Sequence, residues 1–341
     1  MRAGFQGGQD MRSIRRRPFI AGAAALAGSG LVAAPSVGQG QGAWPAKPIT
    51  IVVNFAPGGL TDGIARVFGE YASKKLSQQI IIDNKPGAGG NIGAALVSRA
   101  APDGYTFLHT VSGTLVQNRV LYSNLGFDPD KDFVPVSATS SGELPVAVHK
   151  SLPVKTVAEL IDYARKNKVS FGSWAPGSGA HIVCAKLNEL YGIKMEIVHY
   201  RGEGPMWQDM GSGSLQAAMG SYQALRPLLT NGTIRLIALP APRRNTKFPD
   251  LPTMAEQGFT HDAFNLFGWL GLFAPTGTSL EIVKRLSALW VEAADSEGGR
   301  KMYDTFGLHE KPLTHEAMAA DYERLKARMI PLVRDLGVKL E

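Results

Sequence analysis

The chain has 341 residues, of which 44% are hydrophobic and 19% charged, and a formal net charge of +7. That length can bury the cores of two domains, and the composition is that of a globular chain, neither disordered nor fibrous. Positions 1 to 42 hold five arginines against the single acid Asp10, so their removal would lower the net charge from +7 to +3 and with it the electrostatic case for nucleic-acid binding.

Those first residues read as an export signal. Arg12, Arg15, Arg16 and Arg17 precede the weakly apolar "FIAGAAALAGSGLVAA" and the Gly/Gln-rich "PSVGQGQGA", the order expected of a cleaved leader. "RRPFI" resembles the twin-arginine pattern. An uncleaved anchor is the alternative, but Pro18 to Ala34 is short for a span and interrupted by glycines. The single cysteine, Cys184, excludes an internal disulfide, and no cysteine near the leader marks a lipid anchor. A soluble periplasmic body from about residue 43 is expected.

In that body, strands at 50–54, 79–83 and 105–109 alternate with helices at 62–76 and 91–100, the pattern of a parallel sheet covered on both faces. Between Phe133 and His149 the alternation gives way to an extended, Ser/Gly-interrupted stretch. A second series follows: helices at 156–166, 179–191, 205–211 and 222–231, and strands at 169–173, 195–199, 214–219 and 233–239. "FNLFGWLGLFAPTG" is a second extended segment, and helices at 279–294, 298–305 and 314–336 close the chain. Two extended crossings that bracket an inserted α/β series imply two lobes with a cleft between them, 43–142 with 264–341 and 143–263.

Three glycine-rich turns follow strands, where ligands of open α/β sheets collect. In "IVVNFAPGGLTDGIARVF" an apolar β-branched run leads through Gly58 and Gly59 into a helix starting near Thr61. Its first turn offers unpaired N–H groups and the positive end of the helix dipole, which suits an anion; a plain cap by Thr61 or Asp62 is the other reading. "NKPGAGGNIG" misses the dinucleotide fingerprint, because its glycines space one residue too long and Ile92 stands where the third should be. The third turn is "GSWAPGSGAHI". Its Ser178 and His181 are three residues apart, within reach across one helical turn, and an exported hydrolase using this pair is the enzymatic alternative. No G-x-S-x-G elbow and no nearby acid support it, and a histidine packing beside the cleft is the simpler reading. His109, His149, His181 and His199 lack ligand spacing, so neither metal nor cofactor is expected. "APRRNTK" reads as a solvated loop.

Taken in order, "WPAKPITIVVNFAPGGLTD", "NKPGAGGNIGAALVSRAAPDGYTFL", "GSWAPGSGAHI", "VHYRGEGP", "LPTMAEQGF" and "GWLGLFAPTGT" resemble the Bug/TctC family, the periplasmic solute receptors of tripartite tricarboxylate transporters, from Trp44 onward. The resemblance implies a two-lobed, periplasmic-binding-protein-like α/β fold that closes on a small carboxylate, without catalysis. The receptor would deliver its ligand to membrane transporter subunits or signal the ligand's presence, and a monomer that binds no nucleic acid and does not insert stably in the membrane is expected. The ligand would be gripped by the first turn, through Phe55, Ala56, Gly58, Gly59, Leu60, Thr61 and Asp62, and by the second lobe, through Ser173, Trp174, Gly177, Ser178 and His181, partly by way of ordered water. Asn91, Ser112 and Ser221 complete the expected site. Asp62 would tie its turn together by accepting backbone N–H groups, since like charges repel. Leu60 and Trp174 depart from the family pattern, as does Ala175 in place of glycine. If Leu60 and Trp174 face the cleft, they favour aromatic or short aliphatic mono- and dicarboxylates over citrate; the other reading places Leu60 in the lobe core and Trp174 on the surface.

Overall fold

The computed structural model describes residues 44–142, 144–200 and 202–340; the leader at 1–42 lies outside the described residues. In the first series, β1 (Ile49–Val53), α1 (Leu60–Leu76), β2 (Ile80–Asn84), α2 (Asn91–Ser98) and β3 (Thr106–Val111) alternate as their hydrophobic periods require. Two short helices, α3 (Ser112–Leu115) and α4 (Asn118–Leu121), lead to β4 (Phe133–Ser140). The second series comprises β5 (Val146–His149), α5 (Val157–Ala164), β6 (Ser170–Ser173), α6 (Gly179–Tyr191), β7 (Glu196–His199), α7 (Glu203–Ser212), β8 (Ala217–Met219), α8 (Tyr222–Thr230) and β9 (Ile234–Ala238). The chain returns through β10 (Trp269–Pro275) and ends in α9 (Leu280–Ala294), α10 (Glu297–Phe306) and α11 (His315–Asp335).

The strands form two five-stranded sheets, ordered β2-β1-β3-β10-β4 and β7-β6-β8-β5-β9. This is the two-lobed α/β architecture expected, with one correction: neither sheet is purely parallel. β10 runs antiparallel to β3 and β4, and β5 runs antiparallel to β8 and β9. The reason lies in the crossings. β1 and β3 are parallel and end at one sheet edge, as do β6, β7 and β8 in the other sheet. β4 leaves its sheet at that same edge, so β5 must enter the second sheet against the direction of its neighbours, and β9 to β10 repeats the geometry on the way back. Both crossings therefore spring from the edges that carry the glycine-rich turns.

One face of the first sheet buries Ile49, Ile51 and Val53 against Ile64 and Phe68 of α1 and Leu286 and Trp290 of α9. The opposite face shares a continuous apolar cluster with the second sheet, in which Leu108, Leu115 and Leu121 join Val146, Phe171 and Ile182. The return crossing is braced by α11: the guanidiniums of Arg324 and Arg328 lie 5.0 and 5.5 Å from the centre of the Phe267 ring. Asn245 donates to the Gly307 carbonyl, and Lys247 pairs with Asp304, so the loop before β10 also leans on α10.

His109 on β3 is fully buried, 6.1 Å from the Trp290 ring centre, and neither of its nitrogens has a well-formed hydrogen bond. Burial lowers its pKa from 6.5 to about 4, only partly offset by the nearby Thr61 backbone and Asp62 carboxylate. Between those values the unfolded chain binds the extra proton, so the stability tied to His109 is complete above about pH 6.5 and is lost as the pH falls towards 4. A shift of this size corresponds to about 3 kcal/mol. The urea midpoint should fall across this window in the wild type and fall less in His109→Gln. Parallel pH profiles for the two proteins would rule out the coupling.

Candidate functional site

The first glycine turn is built to keep its backbone donors open. Gly58 has φ +92°, a conformation that favours glycine, and Gly59 precedes α1 as an N-cap without any side-chain hydrogen bond. The first N–H groups of α1, from Leu60 to Asp62, thus lack an intrahelical acceptor, while Gly63 N–H already bonds the Gly59 carbonyl at 2.9 Å. Neither Thr61 nor Asp62 acts as the cap. Asp62 instead accepts from Gly58 N–H at 3.0 Å, from Arg66 Nε at 2.9 Å and from Asn84 Nδ2 at 3.0 Å. Asn84 also donates to the Phe55 carbonyl at 3.0 Å, which clips the start of the turn to the end of β2. Burial works against the Asp62 carboxylate, but the hydrogen bonds from Arg66, Gly58 and Asn84 outweigh it and hold the group below the usual carboxylate range. Ala56, Gly58 and Gly59 are exposed, Phe55 is half-buried, and Thr61 is buried. Leu60 is half-buried and packs against the core of the first sheet.

The second glycine turn is already full. Asn54 donates to the Gly90 carbonyl at 2.9 Å, and Thr114 and Asn118 both donate to the Gly89 carbonyl at 3.0 Å. A Cβ on Gly90 would lie 2.3 Å from Asn54, so the turn packs tightly on that side chain. Asn91 is buried at the start of α2, where its Oδ1 accepts from Asn118 at 2.7 Å; its Nδ2 has no partner among the described residues. Ser112 opens α3 at the mouth of the return crossing, and a Cβ on Gly268 would come within 3.0 Å of both its oxygen and that of Ser141.

On the second sheet, Ser178 caps α6 by accepting from His181 N–H at 3.3 Å, and its hydroxyl lies 2.8 Å from that of the fully buried Ser173. Gly177 N–H donates to His181 Nδ1 at 3.1 Å. That ring nitrogen therefore accepts, and the neutral ring carries its proton on Nε2. Burial, then the His199 ring 4.6 Å away between centroids, lowers the His181 pKa to about 4. The contact between Ser178 and His181 runs through a backbone N–H, and Nδ1 is already occupied, so no nucleophile–base couple forms and the hydrolase alternative fails. Gly177 reaches the first lobe: a Cβ there would lie 2.5 Å from Leu121. Trp174 is half-buried against the cluster shared by both sheets, not spread on the surface, and its carbonyl accepts from Gly202 N–H at 3.0 Å.

Ser221, at the N-cap of α8, is committed to a residue the sequence did not single out. Its N–H bonds both oxygens of Glu203 at 3.0 and 3.1 Å, and its hydroxyl donates to the same carboxylate at 2.6 Å. Neither Glu203 nor Asn84 stands out in a single sequence, since a helix-first-turn acid and a polar strand end are common without function. Two depressions of about 470 and 410 Å³ lie against α11, and neither is lined by any residue of the glycine turns. Among the described residues no group of three or more His, Cys, Asp or Glu could hold a metal ion, and no helix is long and apolar enough to cross a membrane.

Residues 64–329 match the tripartite tricarboxylate transporter family receptor, TctC. The chain is 33% identical over 281 residues, 82% of either chain, to the UPF0065 protein in the tcbD-tcbE intergenic region of a Pseudomonas species. Among solved structures, R. palustris Rpa4515 with adipate is 33% identical with a TM-score of 0.77, over 87% of this chain and all 100% of its own. MatC from Rhodopseudomonas palustris with bound malate is 30% identical with a TM-score of 0.71, over 85% of this chain and 100% of its own. By these matches the chain belongs to the TctC family, and as a member it is a periplasmic solute-binding receptor of the tripartite tricarboxylate transporter type rather than an enzyme.

Proposed function

We propose that this receptor captures a small organic mono- or dicarboxylate between two lobes, 43–142 with 264–341 and 143–263, and presents it as a monomer to membrane transporter subunits. The observation that carries the reading is the first turn: unpaired N–H groups at the positive end of α1, with the Asp62 carboxylate turned inward onto Gly58, Arg66 and Asn84. The relatives solved with adipate and with malate support a ligand of this class. The free N-terminal donors of α6 supply a second anchor. A ligand held by both lobes favours closure, because only differential affinity for the closed state moves the equilibrium. Leu60 contributes to the lobe core in this reading, so the preference for an apolar ligand body rests on Phe55 and Trp174 alone.

A thermal-shift screen of mono-, di- and tricarboxylates tests the class. A true ligand at about 100 times its dissociation constant should stabilise the fold by about 2.7 kcal/mol. No response to any carboxylate would refute the reading. Gly59 offers a clean variant: its φ of −81° suits any residue, and nothing lies within 4 Å of a Cβ placed there. Gly59→Val should therefore keep the melting temperature of the ligand-free protein while weakening binding at least tenfold, or about 1.4 kcal/mol. Undiminished affinity in calorimetry would assign the turn a purely structural role.

A further inference from the structure

The turns that open α1 and α6 follow one plan. Their sequences are "APGGLTD" at 56–62 and "APGSGAH" at 175–181, so Ala-Pro-Gly is followed four residues after the glycine by a side chain that can accept a hydrogen bond. Both glycines have positive φ, +92° at Gly58 and +71° at Gly177. In each turn the third residue of the helix reaches back to that glycine: Asp62 Oδ2 accepts from Gly58 N–H at 3.0 Å, and His181 Nδ1 accepts from Gly177 N–H at 3.1 Å. Both acceptors are buried, at 3% and 6% exposure. A capping box uses the third helical residue in a related way, to hold the N–H of the cap itself. Here the bond lies one residue further out, so it fixes the entry of the chain and leaves the first helical donors alone. The N–H groups of Gly179 and Ala180 have no acceptor among the described residues, as at Leu60 and Thr61.

The two acceptors differ in charge. Asp62 is ionised and meets Arg66 Nε at 2.9 Å, whereas His181 is neutral and leaves the positive end of α6 uncancelled. The titratable neighbour acting on the His181 ring is His199 of β7. The rest of the second turn is ordered around the same residue. The Ser173 hydroxyl donates to the Ala175 carbonyl at 2.7 Å, so the Ser178 hydroxyl donates to Ser173 and accepts from His181 N–H. Gly177 itself is seated against Leu121 of α4, where a Cβ would lie 2.5 Å away. A displacement of Gly177 therefore disturbs both the start of α6 and its contact with α4.

We infer that His181 is a positioning residue of the ligand site, the counterpart of Asp62: its Nδ1 holds the Gly177 N–H and so keeps the Gly179 and Ala180 donors open, without the ring touching the ligand. The inference rests on the carboxylate-receptor reading above and gives one residue of that site its role.

Asparagine and glutamine separate the two roles open to a histidine. Asn carries an acceptor at the position of Nδ1, and Gln carries an amide near the position of Nε2. In calorimetry on the intact protein with adipate and malate as probes, His181→Asn should stay within threefold of the wild type, while His181→Gln and His181→Leu should bind at least tenfold more weakly. Recovery by Gln but not by Asn would assign the ring a direct ligand contact and overturn the positioning role. Equal loss in all three variants, or no loss in any, would overturn it as well. Ligand-free melting temperatures separate lost grip from lost fold, and if His181→Leu does not fold, the Asn and Gln pair decides alone. Nitrogen NMR of the histidine rings gives a readout without ligand: at pH 7 the His181 proton should sit on Nε2, and a proton on Nδ1 would overturn the inference. Failure of both probes, and of every acid in the carboxylate screen, to bind the wild type would overturn the receptor reading itself and this inference with it.

Discussion

The inward-turned carboxylate of Asp62 is the contact on which the ligand turn depends. A run of backbone N–H groups binds an anion only if the loop that carries them cannot fold back onto its own acceptors. Asp62 draws in Gly58 N–H, Arg66 and Asn84, and Asn84 holds the Phe55 carbonyl, so both ends of the turn are pinned while the first donors of α1 stay outward. The negative charge also suits the positive end of the helix it sits in. Behind it, burial lowers the His109 pKa and keeps that ring neutral.

Strand direction links this local device to closure. Because β4 and β9 leave their sheets at the edges where β1, β3, β6 and β8 end, the connections between the sheets and the glycine-rich turns share one seam. Rotation about the connections moves the turns of one lobe directly against those of the other. The seam is not empty of packing: Gly177 abuts Leu121, and one apolar cluster continues from the first sheet into the second. The bracing of Phe267 by Arg324 and Arg328 places the long C-terminal helix against one of the two connections.

Selectivity in such a fold comes as much from donors that are used up as from donors that are free. At the start of α8 the Ser221 N–H is already spent on Glu203. A buried polar group that is already paired gains little from a ligand, whereas an unpaired one gains the full difference between water and a fixed partner.

Much of this was readable in the sequence, because it is written in short-range chemistry. The β-branched run before Gly58, the helical periods of α1 and α6 and the two extended crossings at 133–149 and beyond 264 depend on neighbours a few residues away. The inward role of Asp62 was also within reach, since the Gly58 N–H that donates to it lies in the same turn. What the sequence could not settle were matters in which distant segments compete for one group. Leu60 packs against the apolar cluster of the first sheet, and the Ser221 N–H and hydroxyl both bond Glu203, 18 residues earlier. Asn91 is held by Asn118 across 27 residues, and β5 and β10 run antiparallel only because of where the chain changes sheets. Periodicity and turn chemistry determine which elements form; which donors stay free is decided by long-range packing, since a hydrogen-bonding group is available only until some other part of the chain satisfies it.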